Sequence, residues 1–274
     1  MNAHKHEIRD SDIAHLESRR AALREKLLNL YKSANAGHIG SSLSCLEILM
    51  LCHSVFRGEH DRVVLSKGHA AGGLYCVLDE LGLLGVPLTD FYKEGTRLSA
   101  HPPCKSPLPR VPFGTGSLGH GLGLAVGMAL AQRFAKHEAW TVVIVSEGDL
   151  NEGSTWEALM SAAQLKLGRL ITIVDANGLQ GLGSATEIMN LEPLRAKAES
   201  FGHECFETTQ GNTYSALAKE MRGILASTSA KPKMLIARTT KGAGVDYMEN
   251  KFEWHYLPMN DEQFANAIEQ VRKT

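Results

Sequence analysis

Hydrophobic positions along the chain follow two periods. Leu16, Leu23, Leu27 and Leu30 recur at helical spacing, and Arg19, Arg20, Arg24 and Lys26 fill the other faces. That pattern predicts an amphipathic first helix. Gly37 is placed to cap its C-terminus. A second helix is expected over 45–53. Residues 62–66 read as a short strand, with a helical stretch behind it that reaches Leu81. Further helices are expected over about 121–134, 156–165, 191–200 and 214–226. The run from Thr141 to Ser146 is apolar and β-branched, as a buried parallel strand should be. Residues 170–174 and 233–238 read as the next strands. Asn260 can open a C-terminal helix over 261–272, with Gln263 as its capping-box partner. Strands alternating with helices predict an α/β fold, a parallel sheet with helices on both faces. No repeat, low-complexity tract or inter-domain linker interrupts the pattern, so one unit over 1–274 is expected.

Composition narrows the function classes. The 274 residues are 43% hydrophobic, which predicts a packed core. The net charge is −1, with both signs interspersed. No basic stripe points to nucleic acid and no polybasic run to a membrane surface. Cys45, Cys52, Cys76, Cys104 and Cys205 form no CxxC pair and are odd in number. A reduced, cytoplasmic protein is the simple expectation. The segment from Met1 to Asp10 is polar, unlike a signal peptide. No apolar run approaches the roughly 20 residues that cross a bilayer.

Candidate chemistry gathers at predicted strand ends. Ser146-Glu147-Gly148-Asp149 closes one strand, and Asn177-Gly178-Leu179 follows the next. In a parallel sheet both project at one edge, where ligands of such folds bind. A carboxylate, an amide oxygen and a backbone carbonyl form an oxygen-only set that suits Mg²⁺ or Ca²⁺. Adjacent glycines let backbone N–H groups approach phosphate oxygens. A second Gly-rich segment, from Gly114 to Gly121, precedes a helix. His38, His69, His101 and His255 stand near glycine, proline or strand ends. A neutral imidazole both donates and accepts and titrates near neutral pH, which suits proton transfer. His4, His6, His15 and His137 match no motif and are expected on the solvated surface.

These segments together resemble the transketolases. Glu147-Gly148, Glu152-Gly153, Trp156-Glu157-Ala158 and Val174-Asp175-Ala176-Asn177-Gly178 resemble the family's thiamine diphosphate motif, which runs about 30 residues from Gly-Asp-Gly to Asn. Asn177 stands 30 positions after Glu147 and 28 after Asp149. Aligned on Glu152-Gly153 and Trp156-Glu157-Ala158, the family's metal-binding Asp falls on Glu147. Asp149 is the rival ligand, and Glu147 is preferred. The departure from Asp to Glu bears on metal affinity and identity. Gly114-Thr115-Gly116-Ser117-Leu118-Gly119 resembles the segment that supports the cofactor rings in the family.

The resemblance implies a thiamine-diphosphate-binding fold, specifically its diphosphate-binding domain. It implies Glu147, Asn177 and the Leu179 carbonyl as metal ligands. His69, Gly116, Ser117, Leu118, Gly148, Asp149, Asn177 and His255 are implied as cofactor-binding residues. His38, His69, His101 and His255 are implied in catalysis, with Glu152 in a hydrogen-bonded relay across a subunit interface. It implies thiamine diphosphate with Mg²⁺ or Ca²⁺, and ketol transfer from a ketose to an aldose, with phosphorylated or activated sugars as substrates. The pyrimidine-binding domain is expected on a partner chain, a C-terminal transketolase subunit, in an α₂β₂ assembly. Three rivals stay open: the α part of a 2-oxo-acid dehydrogenase or deoxyxylulose-phosphate synthase, a non-catalytic subunit, and a nucleotide-binding Rossmann protein. The last is disfavoured because Gly114 to Gly119 follows a Pro-rich loop rather than a strand.

Overall fold

A computed structural model describes residues 6–104 and 108–273. It therefore leaves out His4 and part of the excursion over 96–116, the Pro- and Gly-rich loop that precedes the second Gly-rich segment's helix.

The leucine stripe forms α1 (Asp10–Ala34) and is buried along its length. Its cap differs from expectation. Asn35, in the left-handed region at φ 46°, ends the helix, not Gly37. An Asn tolerates that conformation and caps two residues earlier. Gly37 serves a close approach instead, since a Cβ there would stand 2.5 Å from the Tyr256 carbonyl oxygen. The chain continues through α2 (Ile39–Ser44) and α3 (Leu46–Val55) into β1 (Arg62–Leu65). A 3₁₀ turn over Gly68–Ala70 leads to α4 (Ala71–Glu80), and α5 (Gly121–Phe134) follows the excursion. Next come β2 (Thr141–Ser146), α6 (Glu147–Leu150), α7 (Gly153–Gln164), β3 (Leu170–Ala176), α8 (Ala185–Met189) and α9 (Leu194–Ser200). β4 (Glu204–Thr208), α10 (Tyr214–Ala226), β5 (Lys233–Arg238) and α11 (Asp261–Val271) complete the order. The capping box at Asn260 and Gln263 forms as the sequence predicts.

The strands make one parallel sheet in the order β1-β2-β3-β5-β4. Helices cover both faces. Val142, Ile144, Ile171 and Ile173 pack on one side with α1, α3, α4 and α10. Val143, Val145, Leu170 and Val174 pack on the other with α5, α7 and α9. Successive strand residues point to opposite faces, so two buried faces require apolar residues at every position. This is why the central strands read as continuous apolar runs.

One surface assignment is corrected. His6 is held 2.6 Å from Asp61, a buried carboxylate that also accepts from Gly58 N–H and Trp140 N–H. It ties the N-terminal segment to the start of the sheet rather than lying free in water.

Candidate active site

The C-terminal ends of the strands build the site. β2 and β3 pair with Ser146 opposite Asp175, so the residues just beyond each strand stand side by side. Gly178 N–H donates to Glu147 Oε2 at 2.7 Å. Glu147 is only 8% exposed, and no described residue forms an ion pair with it. Burial pushes its carboxyl up to about 7, against the Gly178 hydrogen bond that holds it down. Asn177 turns Nδ2 toward Asp175 Oδ2 and Ser44 Oγ, at 3.4 and 3.5 Å, and its Oδ1 accepts the Leu179 N–H at 3.1 Å. Among the described residues no cluster of three or more His, Cys, Asp or Glu could hold a metal. A cation here would need the amide and carbonyl oxygens as well as Glu147. That hard donor set fits Mg²⁺ or Ca²⁺, and a buried carboxylate lacking a counter-charge is the group a cation would stabilise.

Asp149 has a different setting. It is fully buried, and its two oxygens accept from Ser66 Oγ, Gly119 N–H, Ser146 N–H and Ser146 Oγ at 2.6 to 2.9 Å. It closes the capping box of α6 and ties β1, β2 and the Gly-rich loop together. Both oxygens are engaged inside the fold, and Asp149 is not among the residues that line the cleft in which the histidines meet.

Four separate segments bring the histidines together. His38 sits in the left-handed region at φ 72°, and its N–H donates to the His255 carbonyl at 3.0 Å. The His255 ring lies 5.0 Å from those of both His38 and His69, and His101 lies 6.1 Å from His38. His69 stands in the 3₁₀ turn after β1, and His255 in another over Phe252–His255. Burial lowers all four below the ordinary histidine range. For His255 the descent reaches about 3, with the charge of Lys241 as the next cause. The rings are therefore neutral donors and acceptors at physiological pH.

Beneath them Lys67, 1% exposed, pairs with Asp175 and donates to the Ser41 carbonyl at 3.0 Å. Burial alone would lower Lys67, but Asp175 outweighs it and holds the lysine above its ordinary value. Asp175 is correspondingly held below the usual carboxylate range: burial pushes it up, and Lys67 outweighs that. Lys241, also 1% exposed, stands 3.0 Å from His255 Nδ1 and is lowered to about 8 by burial and then by Lys67.

A cleft of about 300 Å³ joins the histidines, the two lysines and the Asn177 loop, with Glu147 outside its lining. His38, His69, His101, His255, Gly116, Leu118, Gly148, Asn177 and Leu179 all line it. Gly116 needs its special backbone: φ is 149°, and a Cβ would stand 2.8 Å from the His101 ring. Ser117 is exposed and outside the lining. Glu152, the residue before α7, is exposed, and its carboxylate bonds to no described residue. Ser41, Lys67, Gln180 and Lys241 also line the cleft, though the motifs gave them no role. Lys67 and Lys241 each follow a strand closely, and position at the carboxyl edge of a parallel sheet could have singled them out. Larger hollows of about 510 and 790 Å³ lie elsewhere. In the first, Arg9 pairs with Asp12 and Arg19 with Glu80, and no comparable set of histidines converges in either.

Comparison with known proteins agrees with this geometry. Residues 19–272 match the family described as transketolase, thiamine diphosphate binding domain. A protein of Phocaeicola vulgatus, named as one of the subunits of an apulose-4-phosphate transketolase, is 38% identical over 258 residues, 90% of each chain. Its namesake from Actinobacillus succinogenes is 37% identical, over 94% of this chain and 96% of its own. The crystal structure of Campylobacter jejuni transketolase superposes with a TM-score of 0.84 at 28% identity. It is covered over 43% of its length, against 94% of this chain. The chain belongs to the transketolase family, as its thiamine-diphosphate-binding domain.

Proposed function

We propose that this chain is the diphosphate-binding subunit of a two-chain transketolase. The observation that carries the reading is convergence: histidines from four distant segments meet the Asn177 loop and the Gly-rich loop in one cleft. Glu147, Asn177 Oδ1 and the Leu179 carbonyl would hold Mg²⁺ or Ca²⁺, and through it a diphosphate. Bound thiamine diphosphate supplies the carbanion chemistry of ketol transfer. The chain's own residues supply position and charge. Neutral His38, His69, His101 and His255 can hydrogen-bond sugar hydroxyls and carbonyl oxygen. Lys67 and Lys241 bring ammonium donors to the floor of the cleft, and Lys241, with no described acidic partner, gives it a positive charge suited to a diphosphate. Gly116 and Leu118 leave room for the cofactor rings.

A partner chain completes the proposal. Relatives of similar length that are named as single subunits of a transketolase support it. The surface supports it too. α5 has no polar side chain from Gly121 to Ala131. Its inner row, Leu122, Ala125, Val126 and Ala129, is buried, while Gly123, Leu124, Gly127, Ala131 and Phe134 are exposed. A helix apolar on all sides belongs inside a larger assembly. Neighbouring α7 exposes Met160, and the unbonded Glu152 stands at its start, available for a relay across the joint. We assign this face to a pyrimidine-domain subunit, in an α₂β₂ assembly. Phosphorylated sugars are the proposed substrates, in keeping with the sugar phosphate in the relatives' name. Five free cysteines suit a reduced, cytoplasmic setting.

Ketol transfer between a ketose phosphate and an aldose is the test, with the chain alone and with a co-expressed pyrimidine-domain chain. Activity is expected only for the pair. Robust turnover by the purified single chain would reject the two-chain reading. Failure of the pair to bind thiamine diphosphate with Mg²⁺ or Ca²⁺ would reject the enzyme reading.

A further inference from the structure

Lys241 is a buried cation without an acidic partner. No described carboxylate forms an ion pair with it. Three residues beyond the end of β5, its backbone is fixed: Asn250 N–H donates to its carbonyl, and Gly242 N–H donates to the Gly40 carbonyl, both at 3.0 Å. The aliphatic stem packs beside Gly40, where a Cβ would stand 3.4 Å from its Cγ. The amine thus reaches His255 Nδ1 along a defined path, at 3.0 Å. Burying a charge without a counter-ion is costly, so the contact with His255 calls for a use.

A protonated lysine has three N–H donors and no acceptor. The ring nitrogen it meets must be the bare one. A neutral imidazole carries its single proton on the other nitrogen. We infer that Lys241 is a positioning residue: its contact with Nδ1 locks His255 in the Nε2–H tautomer, so His255 offers the cleft a donor and not a base.

The surroundings support this assignment. Ser41 Oγ lies 3.4 Å from the same Nδ1 and is a second donor able to serve it. The His255 carbonyl is held by the His38 N–H, which fixes the residue from its backbone. Its Cδ2, the ring atom bonded to Nε2, lies on the side of Gly181, 3.5 Å from where a Cβ there would stand. Burial and the nearby ammonium keep the ring neutral, so the donor persists across the neutral pH range. The catalytic meaning rests on the ketol-transfer reading. A fixed Nε2–H can stabilise charge developing on a sugar oxygen, but it cannot take a proton from it. Among the four histidines His255 would then be excluded as the base.

Nitrogen-15 NMR of the full chain tests the tautomer itself, without cofactor or turnover. His255→Gln identifies the signals. We expect protonation at Nε2 alone from about pH 6 to about pH 7, where Lys241 keeps its charge. In Lys241→Met we expect mixed tautomers and titration moved up toward ~6.5, the ordinary histidine value. Lys241→Arg keeps a donor-only cation and should restore the single form. An Nδ1–H tautomer in the wild-type chain would overturn the inference, as would a Lys241→Met spectrum identical to wild type. If Lys241→Met fails to fold, the wild-type and Lys241→Arg spectra still decide it. An Nε2–H ring in a complex that performs no ketol transfer would sink the functional reading and leave the Lys241–His255 assignment standing.

Discussion

Glu147 is a carboxylate removed from water with one backbone N–H for company, and its folded pKa of about 7 lies above the ordinary 4.5. The folded chain therefore binds this proton more tightly than the unfolded one. Its contribution to stability is fully present below about 4.5 and is lost as pH rises through about 7. Above that, in the absence of metal, the ionised group opposes folding by up to about 3 kcal/mol, taking ~1.4 kcal/mol per pKa unit. Glu147→Gln cannot ionise and still accepts from Gly178. In chelator it should melt above wild type at about pH 8, with the advantage gone near pH 4. Mg²⁺ with thiamine diphosphate should reverse the order, because the cation favours the ionised acid. Thermal melts under these conditions decide the matter. A wild-type chain that melts higher at pH 8 in chelator would mean that the ionised acid already finds enough compensation within the fold. Spacing alone leaves Glu147 and Asp149 as rivals, both near the family's interval from Asn177. Their neighbours distinguish them, and part of that difference was legible. Ser146 followed three residues later by Asp149 is a capping signature, which marks Asp149 as an acid with a structural task. What sequence could not reveal was that Ser66 and Gly119 would also reach it.

At the scale of elements, the site depends on register. Ser146 opposite Asp175 sets the Asn177 loop against Glu147, and the ion pair of Lys67 with Asp175 ties β1 to β3 at the same edge. Both partners are at most 1% exposed. Removing one strands the other as a buried charge, which costs about 3–5 kcal/mol. Lys67→Met should lower stability by that amount in denaturant titrations, and adding Asp175→Leu should recover a large part of it. Asp175 also accepts from the Ser44 and Thr239 hydroxyls, and a Lys67→Met chain as stable as wild type would show that these alone satisfy it. β2, β3 and β5 were legible because burial on both faces leaves their sequences apolar without alternation. β4 was not. Glu204-Cys205-Phe206-Glu207-Thr208 is an edge strand with partly exposed residues, and its pairing is decided by β5 rather than by its own sequence. α2 was equally hidden: Gly40, Ser41, Ser42 and Ser44 carry no helical stripe, and packing supplies what propensity lacks. The four histidines were legible as motifs, but their meeting was not, since it depends on loops separated by long stretches of chain.

For the whole molecule, the exposed row of α5 predicts where the partner sits, and Gly127 allows that idea to be separated from folding. No atom lies within 4 Å of the position a Cβ would occupy there, and the residue lies within the helix. A leucine at 127 therefore has room in the single chain. It also replaces a glycine within a helix, a change worth up to ~1 kcal/mol in favour of folding. Gly127→Leu should melt at or above the wild-type temperature by itself. Against a partner it should act in the opposite direction. A side chain raised from a surface of Gly123, Gly127 and Ala131 would hold the two chains apart, and the packing lost on both sides would not be recovered elsewhere. Co-purification and sedimentation with a pyrimidine-domain chain should show loss of the assembled species, with ketol transfer falling in proportion. Phe134→Ser, at the far end of the row, should weaken association less, because one edge contact is lost while the close approach at Gly127 survives. If Gly127→Leu assembles and turns over as wild type does, α5 is not the joint, and its apolar outer row must answer to some other neighbour. If instead it unfolds alone, the space around Gly127 is smaller than the structure allows. The pair of measurements, stability alone and association with the partner, separates these outcomes.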